Sequence, residues 1–406
     1  MPQSDVLIVG AGPAGAWAAC QLARAGARVE LFDASHPREK PCGGGLTARA
    51  LALVAGALEP PRLRPVAVRS LRFETANTFT EFPICANGDR TARLTPRDGP
   101  APGSPLAIVD RRSFDAMLLE AAVRAGARHV AERVRDVRVG SDGVEVETAS
   151  GRWRGDLLLG ADGANSLVRR RTGHPFARRQ LSITAGYFLH GVSSSQVRVR
   201  CVVQPAGYIW SFPRADHIAV GVCAQADTAT VERLRTLVLD WLAENRLHAG
   251  ARLEAYAWPI PSLSRTDFRN ERPAGDRWML LGDAAALVDP LTREGIYFAL
   301  LSAGLAADAV IHGRAPTSYA ERLRGDVYPE LARAADVKAR FFGSGFADLM
   351  VQGFERSEAI RQVMIDLVSG AQPYATLRRR LLGTFEVRLA LQLLWLQVMG
   401  RFAQDQ

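Results

Sequence analysis

The chain has 406 residues, 48% apolar and 23% charged, enough for a large core and, at about 150 residues each, for two to three domains. This excludes a wholly disordered, collagen-like or disulfide-framework protein. The formal charge is +9, but arginine supplies all of the basic count except Lys40 and Lys338, and no lysine-rich run of the kind that tracks nucleic acid occurs. The excess reads as a solvated surface with some anion sites; the other reading is a membrane-surface or anionic-substrate role.

In chain order, residues 6–9 read as a fully buried strand of the parallel kind. It begins so near Met1 that no removable leader is expected. Gly10-Ala11-Gly12-Pro13-Ala14-Gly15 turns into a small-residue helix over about 14–25, which Gly26 ends. Residues 29–32 form a second strand with Asp33 at its end. Pro/Gly-rich stretches at 59–65 and 96–105 flank alternating, strand-like residues 66–82. Residues 109–115 lead into a helix that ends near Gly126, then come strands over 130–148 with a turn at 140–143, and a buried strand at 156–159. Residues 181–259 are mostly of period two, with Val197, Val199, Cys201 and Val203 on one face and Arg198 and Arg200 on the other. A helix over 230–245 interrupts them. Residues 278–281 make another buried strand and 295–311 a helix, and beyond Thr317 the signal is helical. Residues 389–400 are apolar but short and carry two Gln, so they read as a packed helix or as a patch dipping into lipid. No spanning helix is expected.

The five cysteines at 20, 42, 85, 201 and 223 form no CxxC and no metal spacing, which suits a reducing compartment. The seven histidines are scattered, and none is given a chemical role.

Three strand-to-glycine-loop units carry the chemistry. In the first, Gly10 permits the tight turn and Gly12 lets backbone approach a pyrophosphate at the helix start. Gly15 brings helix and sheet together, and Asp33 can accept from ribose hydroxyls. The second unit is Gly160-Ala161-Asp162-Gly163-Ala164-Asn165-Ser166-Leu167-Val168-Arg169. The third is Gly282-Asp283-Ala284-Ala285, with Pro290 and Glu294-Gly295-Ile296 following. Asp283 can accept from a polyol hydroxyl. A helix starting near Gly295 aims its positive end at whatever lies before it.

The order GAGPAG, DRRSFD, GADGANSLVR, GDAAALVDP resembles the FAD-dependent group that includes the aromatic hydroxylases. Two more motifs, Pro41-Cys42-Gly43-Gly44-Gly45-Leu46 and Tyr208-Ile209-Trp210-Ser211-Phe212-Pro213, resemble the geranylgeranyl reductase family, and the likeness covers nearly the whole chain. The implied fold is α/β (α+β): a Rossmann-like FAD-binding domain (1–65, 104–179, 266–316), an inserted antiparallel-sheet substrate domain (66–103, 180–265) and a helical C-terminal region (317–406). The resemblance implies that Gly10, Gly12, Pro13, Ala14 and Gly15 hold FAD pyrophosphate and Asp33 the adenosine ribose. Arg111, Asp162, Gly282, Asp283 and Pro290 would complete the dinucleotide site. Gly295 and Ile296 would begin the helix facing the flavin pyrimidine ring. Cys42, Gly43 and Gly44 would line the flavin side of a cavity. Gly45, Tyr208, Trp210, Phe212 and Pro213 would meet substrate.

Bland readings stay open beside these. Cys42 reads also as a small buried filler, Trp210 and Phe212 as sheet core, and Tyr208 as a backbone hydrogen-bond donor. Two residues depart from the family pattern. Arg293 stands where a small residue, often Gly, is usual; it could bind an anionic head group or reshape the cavity. Asp33 replaces the commoner Glu.

The implied activity is saturation of isolated isoprenoid C=C bonds. Hydride would pass from reduced flavin to one carbon and a proton to the other, with Cys42, Tyr208 or a held water as donor and Trp210 in the aromatic wall. With no carbonyl to polarise, positioning and exclusion of water carry the task. Only one dinucleotide fingerprint is complete, since Gly343-Ser344-Gly345 lacks a preceding strand. NAD(P)H therefore binds transiently, or a ferredoxin-like donor replaces it. The expected partner is a polyprenyl-bearing small molecule or lipid, with no nucleic acid, no obligatory protein partner and no metal. The expected location is cytoplasmic, with peripheral membrane contact through the C-terminal helices as a further possibility. The chief alternative is an FAD monooxygenase acting on an apolar or aromatic molecule. A halogenase needs a lysine that neither Lys40 nor Lys338 matches, and a redox-silent FAD-binding subunit is the non-catalytic alternative.

Overall fold

A continuous run of β-branched and leucine side chains favours a strand buried on both faces, and such strands pair in parallel beneath helices. The computed structural model, which describes residues 4–66, 68–83, 106–314, 316–342 and 345–384, shows this for Ser4–Val9. That strand lies between Val29–Phe32 and Arg152–Gly160, parallel to both, with Trp278–Leu280 and Arg128–Val130 extending the parallel set outward. A hairpin of Asp136–Val139 and Val144–Glu147 adds to Arg152–Gly160. The helices Pro13–Arg24, Arg111–Arg124 and Ile296–Ile311 pack together against this sheet through alanines and leucines.

The second sheet has seven strands. In spatial order they are Arg252–Pro261, Leu181–His190, His217–Gln225, Gly207–Pro213, Gln196–Val202, Ser70–Glu74 and Phe79–Pro83. One face is covered by the helix Val231–Glu244, whose Leu234, Val238, Trp241 and Leu242 bury against Ile209, Val220 and Val222. Towards the other face come the helices Tyr328–Phe341, Phe346–Arg356 and Glu358–Ser369, whose Phe341, Val351, Phe354 and Leu367 pack with Phe73, Phe82 and Cys201.

The fold class expected from the sequence is the one observed. Differences are local. Val203 lies beyond the strand end and is 54% exposed, so it does not share the inner face of Val197, Val199 and Cys201. Short helices at Ala48–Val54, Leu167–Thr172 and Arg265–Asn270 were not legible, because each is held by a Thr or Ser side chain accepting from the first turn and not by long periodicity. Residues 389–400, Cys85 and Gly343-Ser344 lie outside the described residues. Among those described, no helix is long and apolar enough to cross a membrane. The described thiols Cys20, Cys42, Cys201 and Cys223 are all free.

Candidate active site

The site begins where the first strand ends. Gly10 has φ +101°, and a Cβ there would stand 2.4 Å from the Ala161 carbonyl oxygen. At Gly15 a Cβ would stand 1.8 Å from the Gly10 carbonyl oxygen. Neither position admits a side chain. Gly12 differs: the nearest atoms to its added Cβ are His36 Nε2 at 3.6 Å and Lys40 Nζ at 3.8 Å, so a side chain would fill open space. The first amides of the helix Pro13–Arg24 have no intrahelical partner and face this cradle, and an ammonium group stands beside it. A diphosphate fits these donors. Burial, reinforced by Arg111, pushes the Lys40 pKa down, so an incoming anion would find a poorly solvated cation. Lys40 was missed from sequence; its one signal was being one of two lysines, directly before Pro41-Cys42.

Asp33 stands at the end of Val29–Phe32, but its oxygens are already engaged. Oδ2 accepts from Ala11 N–H at 2.9 Å and meets His36 Nδ1 at 2.8 Å. Oδ1 accepts from the Ser35 and His36 amides and the Ser35 hydroxyl. Burial would raise its pKa, but these bonds hold it well below the usual carboxylate range. A ribose would share an acceptor that also ties the glycine turn to the second strand. Arg111 is buried and donates from Nε and Nη2 to Asp115 at 3.0 and 2.9 Å.

From this cradle one cavity of about 400 Å³ runs to the open face of the second sheet. Its cofactor end is lined by Gly12, Pro13, Ala14, Lys40, Arg111, Gly282 and Asp283. The Asp283 carboxyl is pushed up by burial, with Lys40 and Arg111 opposing. The middle carries Cys42, Gly43, Gly44 and Gly45 on one side and Arg293, Gly295 and Ile296 on the other. Gly295 caps the helix Ile296–Ile311, whose positive end meets the cavity. The Phe212 ring packs against Gly43, and the remaining wall is apolar, built from Val197, Val199, Trp210, Phe341, Phe354 and Ile365.

The Pro-Cys-Gly-Gly-Gly loop is held by a residue that sequence reading passed over. Arg214, fully buried, donates to the carbonyl oxygens of Val109 at 2.5 Å and Cys42 at 2.6 Å. A Cβ on Gly44, whose φ is +64°, would stand 1.6 Å from Arg214 Nη1. The glycine leaves room for the guanidinium. Gly44 N–H donates to Cys42 Sγ at 3.3 Å. On the sheet, Trp210 stacks on Tyr256 with ring centroids 6.3 Å apart and meets Phe212 edge-on at 5.8 Å. Tyr208 stacks on Phe342 and donates to the Thr292 carbonyl oxygen at 3.4 Å, and burial raises its pKa.

Six of the expected site residues do not line the cavity: Gly10, Gly15, Asp33, Asp162, Pro290 and Pro213. Gly10, Gly15 and Asp33 shape the turn instead. Asp162 Oδ2 accepts from the Leu167 and Val168 amides at 2.6 and 3.3 Å and so caps that short helix, while Oδ1 is buried without a partner. Pro213 is buried at the strand end opposite Ile218, and Pro290 is buried behind Leu291.

A glycine cradle for a dinucleotide, opening into a largely apolar cavity, is the arrangement of a dinucleotide-dependent oxidoreductase. The FAD binding domain family matches residues 3–303. A menaquinone reductase of Mycolicibacterium smegmatis is 32% identical over 330 residues, 77% of each chain. A digeranylgeranylglycerophospholipid reductase of Methanothrix thermoacetophila is 27% identical over 381 residues, 85% of this chain and 89% of the other. Among solved structures, a geranylgeranyl bacteriochlorophyll reductase-like protein of Thermoplasma acidophilum superposes with a TM-score of 0.75 at 21% identity, covering 95% of this chain and all of that one. The chain belongs to the FAD binding domain family and is an FAD-dependent oxidoreductase with geranylgeranyl reductases among its relatives.

Proposed function

We propose that this protein saturates isolated C=C bonds in a polyprenyl-bearing molecule. The observation that carries this reading is the single cavity running from the cofactor cradle to an aromatic and aliphatic far end beneath the C-terminal helices. In this reading residues 1–65, 104–179 and 266–316 form the FAD-binding part and 66–103 and 180–265 the substrate part, and the described helices of the C-terminal region, up to Leu382, close over the cavity.

Bound FAD supplies two-electron chemistry, renewed by NAD(P)H in passing. The chain's own residues do the rest. The amides of Gly12 and Ala14, with Lys40 and Arg111, hold the diphosphate; Asp283 holds a polyol hydroxyl. Trp210, Phe212, Leu291 and Phe341 exclude water and align the chain, because an unactivated olefin offers no group to polarise. Cys42, on the glycine loop, is assigned the proton; Tyr208 keeps its own through burial and lines the opposite wall.

The experiment is anaerobic. Reduced holoprotein is mixed with geranylgeranyl compounds, and flavin absorbance and product mass are followed. Reoxidation with a gain of two hydrogens per bond is expected. No reoxidation by any prenyl compound sinks the proposal, and so does a product carrying one added oxygen atom in a parallel aerobic incubation, which marks a monooxygenase.

A further inference from the structure

Arg293 sits where the chain turns from Thr292 towards the helix that Gly295 caps. Its φ of +61° lies in the left-handed region, where an L side chain is strained and glycine is not. Strain retained on a cavity wall points to a task for the side chain that bears it. The guanidinium lines the cavity, and its Nε and Nη1 are buried with no hydrogen-bond partner among the described residues.

Two carboxylates stand near it in sequence, and neither hydrogen-bonds its guanidinium. Asp289 accepts from the Leu291 and Thr292 amides at 2.7 and 3.0 Å and from the Tyr374 hydroxyl at 2.8 Å. Glu294 accepts from the Thr47 hydroxyl at 2.8 Å and pairs with Arg49. A second cation adds to the imbalance. Lys338 donates to the neutral oxygens of Gln225 and Ser262, each at 2.7 Å. Burial and then repulsion from Arg293 bring its pKa down to about 7.

Arg293 follows Thr292, whose carbonyl oxygen accepts from the Tyr208 hydroxyl of the sheet at 3.4 Å, and the Tyr208 ring stacks on Phe342. Arg293 therefore stands beside the sheet and the C-terminal helices, in the part of the cavity read above as the substrate end.

We propose that Arg293 selects an acidic substrate: a polyprenyl molecule bearing a carboxylate or phosphate docks on its guanidinium, in preference to the neutral alcohol of the same length. Charge-assisted hydrogen bonds to such a head group are strongest where water is excluded. The proposal rests on reading the cavity as a polyprenyl site.

The test compares FAD-loaded wild type with Arg293→Gly, since glycine is unstrained at this φ. Dissociation constants are measured by tryptophan fluorescence for geranylgeraniol, geranylgeranoic acid, geranylgeranyl phosphate and hexadecanoate. Wild type should bind one of the prenyl acids at least about tenfold more tightly than the alcohol. R293G should bring that ratio near one, with the alcohol constant and the flavin content unchanged. The tighter acid identifies the head group. An unselective wild type, an unaltered ratio in R293G, flavin loss in R293G or equal weakening of acid and alcohol each overturns the proposal. If hexadecanoate binds through Arg293 while no prenyl compound binds, the polyprenyl reading falls and the Arg293 assignment stands. If none of the four binds, both fall.

Discussion

At the scale of single residues, the site is held by atoms with no room to move. Gly15→Ala would drive a methyl group into the Gly10 carbonyl, 1.8 Å away. We expect G15A to cost about 3 kcal/mol or more and to purify without FAD, as read from its visible absorbance. Arg214→Met tests the loop rather than the turn. It leaves the Val109 and Cys42 carbonyl oxygens without their donor in a dry place. A loss of about 2–4 kcal/mol in denaturant unfolding is expected, with weakened FAD retention; unchanged stability would show that the guanidinium does not hold the loop. Glycines and Asp33 were legible because their demands are local: a tight turn and a strand end can be counted along the chain. Arg214 and Lys40 were not, because the groups they meet come from distant parts of the sequence. Even Asp33 was only half legible, since the bonds that occupy it depend on how Ser35 and His36 turn back.

At the scale of elements, short connectors decide how the second sheet is anchored. Asp267 lies in the helix Arg265–Asn270 and accepts from the Ser264 amide and hydroxyl, from Arg179 and from Gln180. Burial would raise its pKa, but these donors lower it to about 2. The sign follows from proton counting: above its unfolded value the charged carboxylate stabilises the fold, and that stability disappears as pH falls through about 2. It amounts to about 2 kcal/mol. Asp267→Asn should flatten the acid limb of a stability–pH curve between about pH 4 and 2; a curve parallel to wild type would count against it. Long elements such as Ile296–Ile311 and His217–Gln225 could be read from periodicity. The helix Arg265–Asn270 could not, because six residues do not complete a recognisable pattern.

At the scale of the whole molecule, the cavity is a joint product. Glycine loops furnish one end, a sheet the floor, and late helices the far wall. Sequence gave the aromatic strand and a helical C-terminus, but not that Phe354, Met364, Ile365 and Val368 would reach the same space. That meeting depends on tertiary packing, for which no local signal exists. Under the proposed function it would also limit chain length: Ile365→Trp should weaken binding of a twenty-carbon prenyl alcohol by about tenfold while sparing a ten-carbon one, by titration of the holoprotein. Equal effects on both would place Ile365 away from the ligand. There is a consequence for how the molecule comes into being. Residues that cradle the cofactor all leave the ribosome before position 345, and those that seal the far wall leave last. A nascent chain can therefore complete its cofactor cradle while the far end of the cavity is still a doorless room.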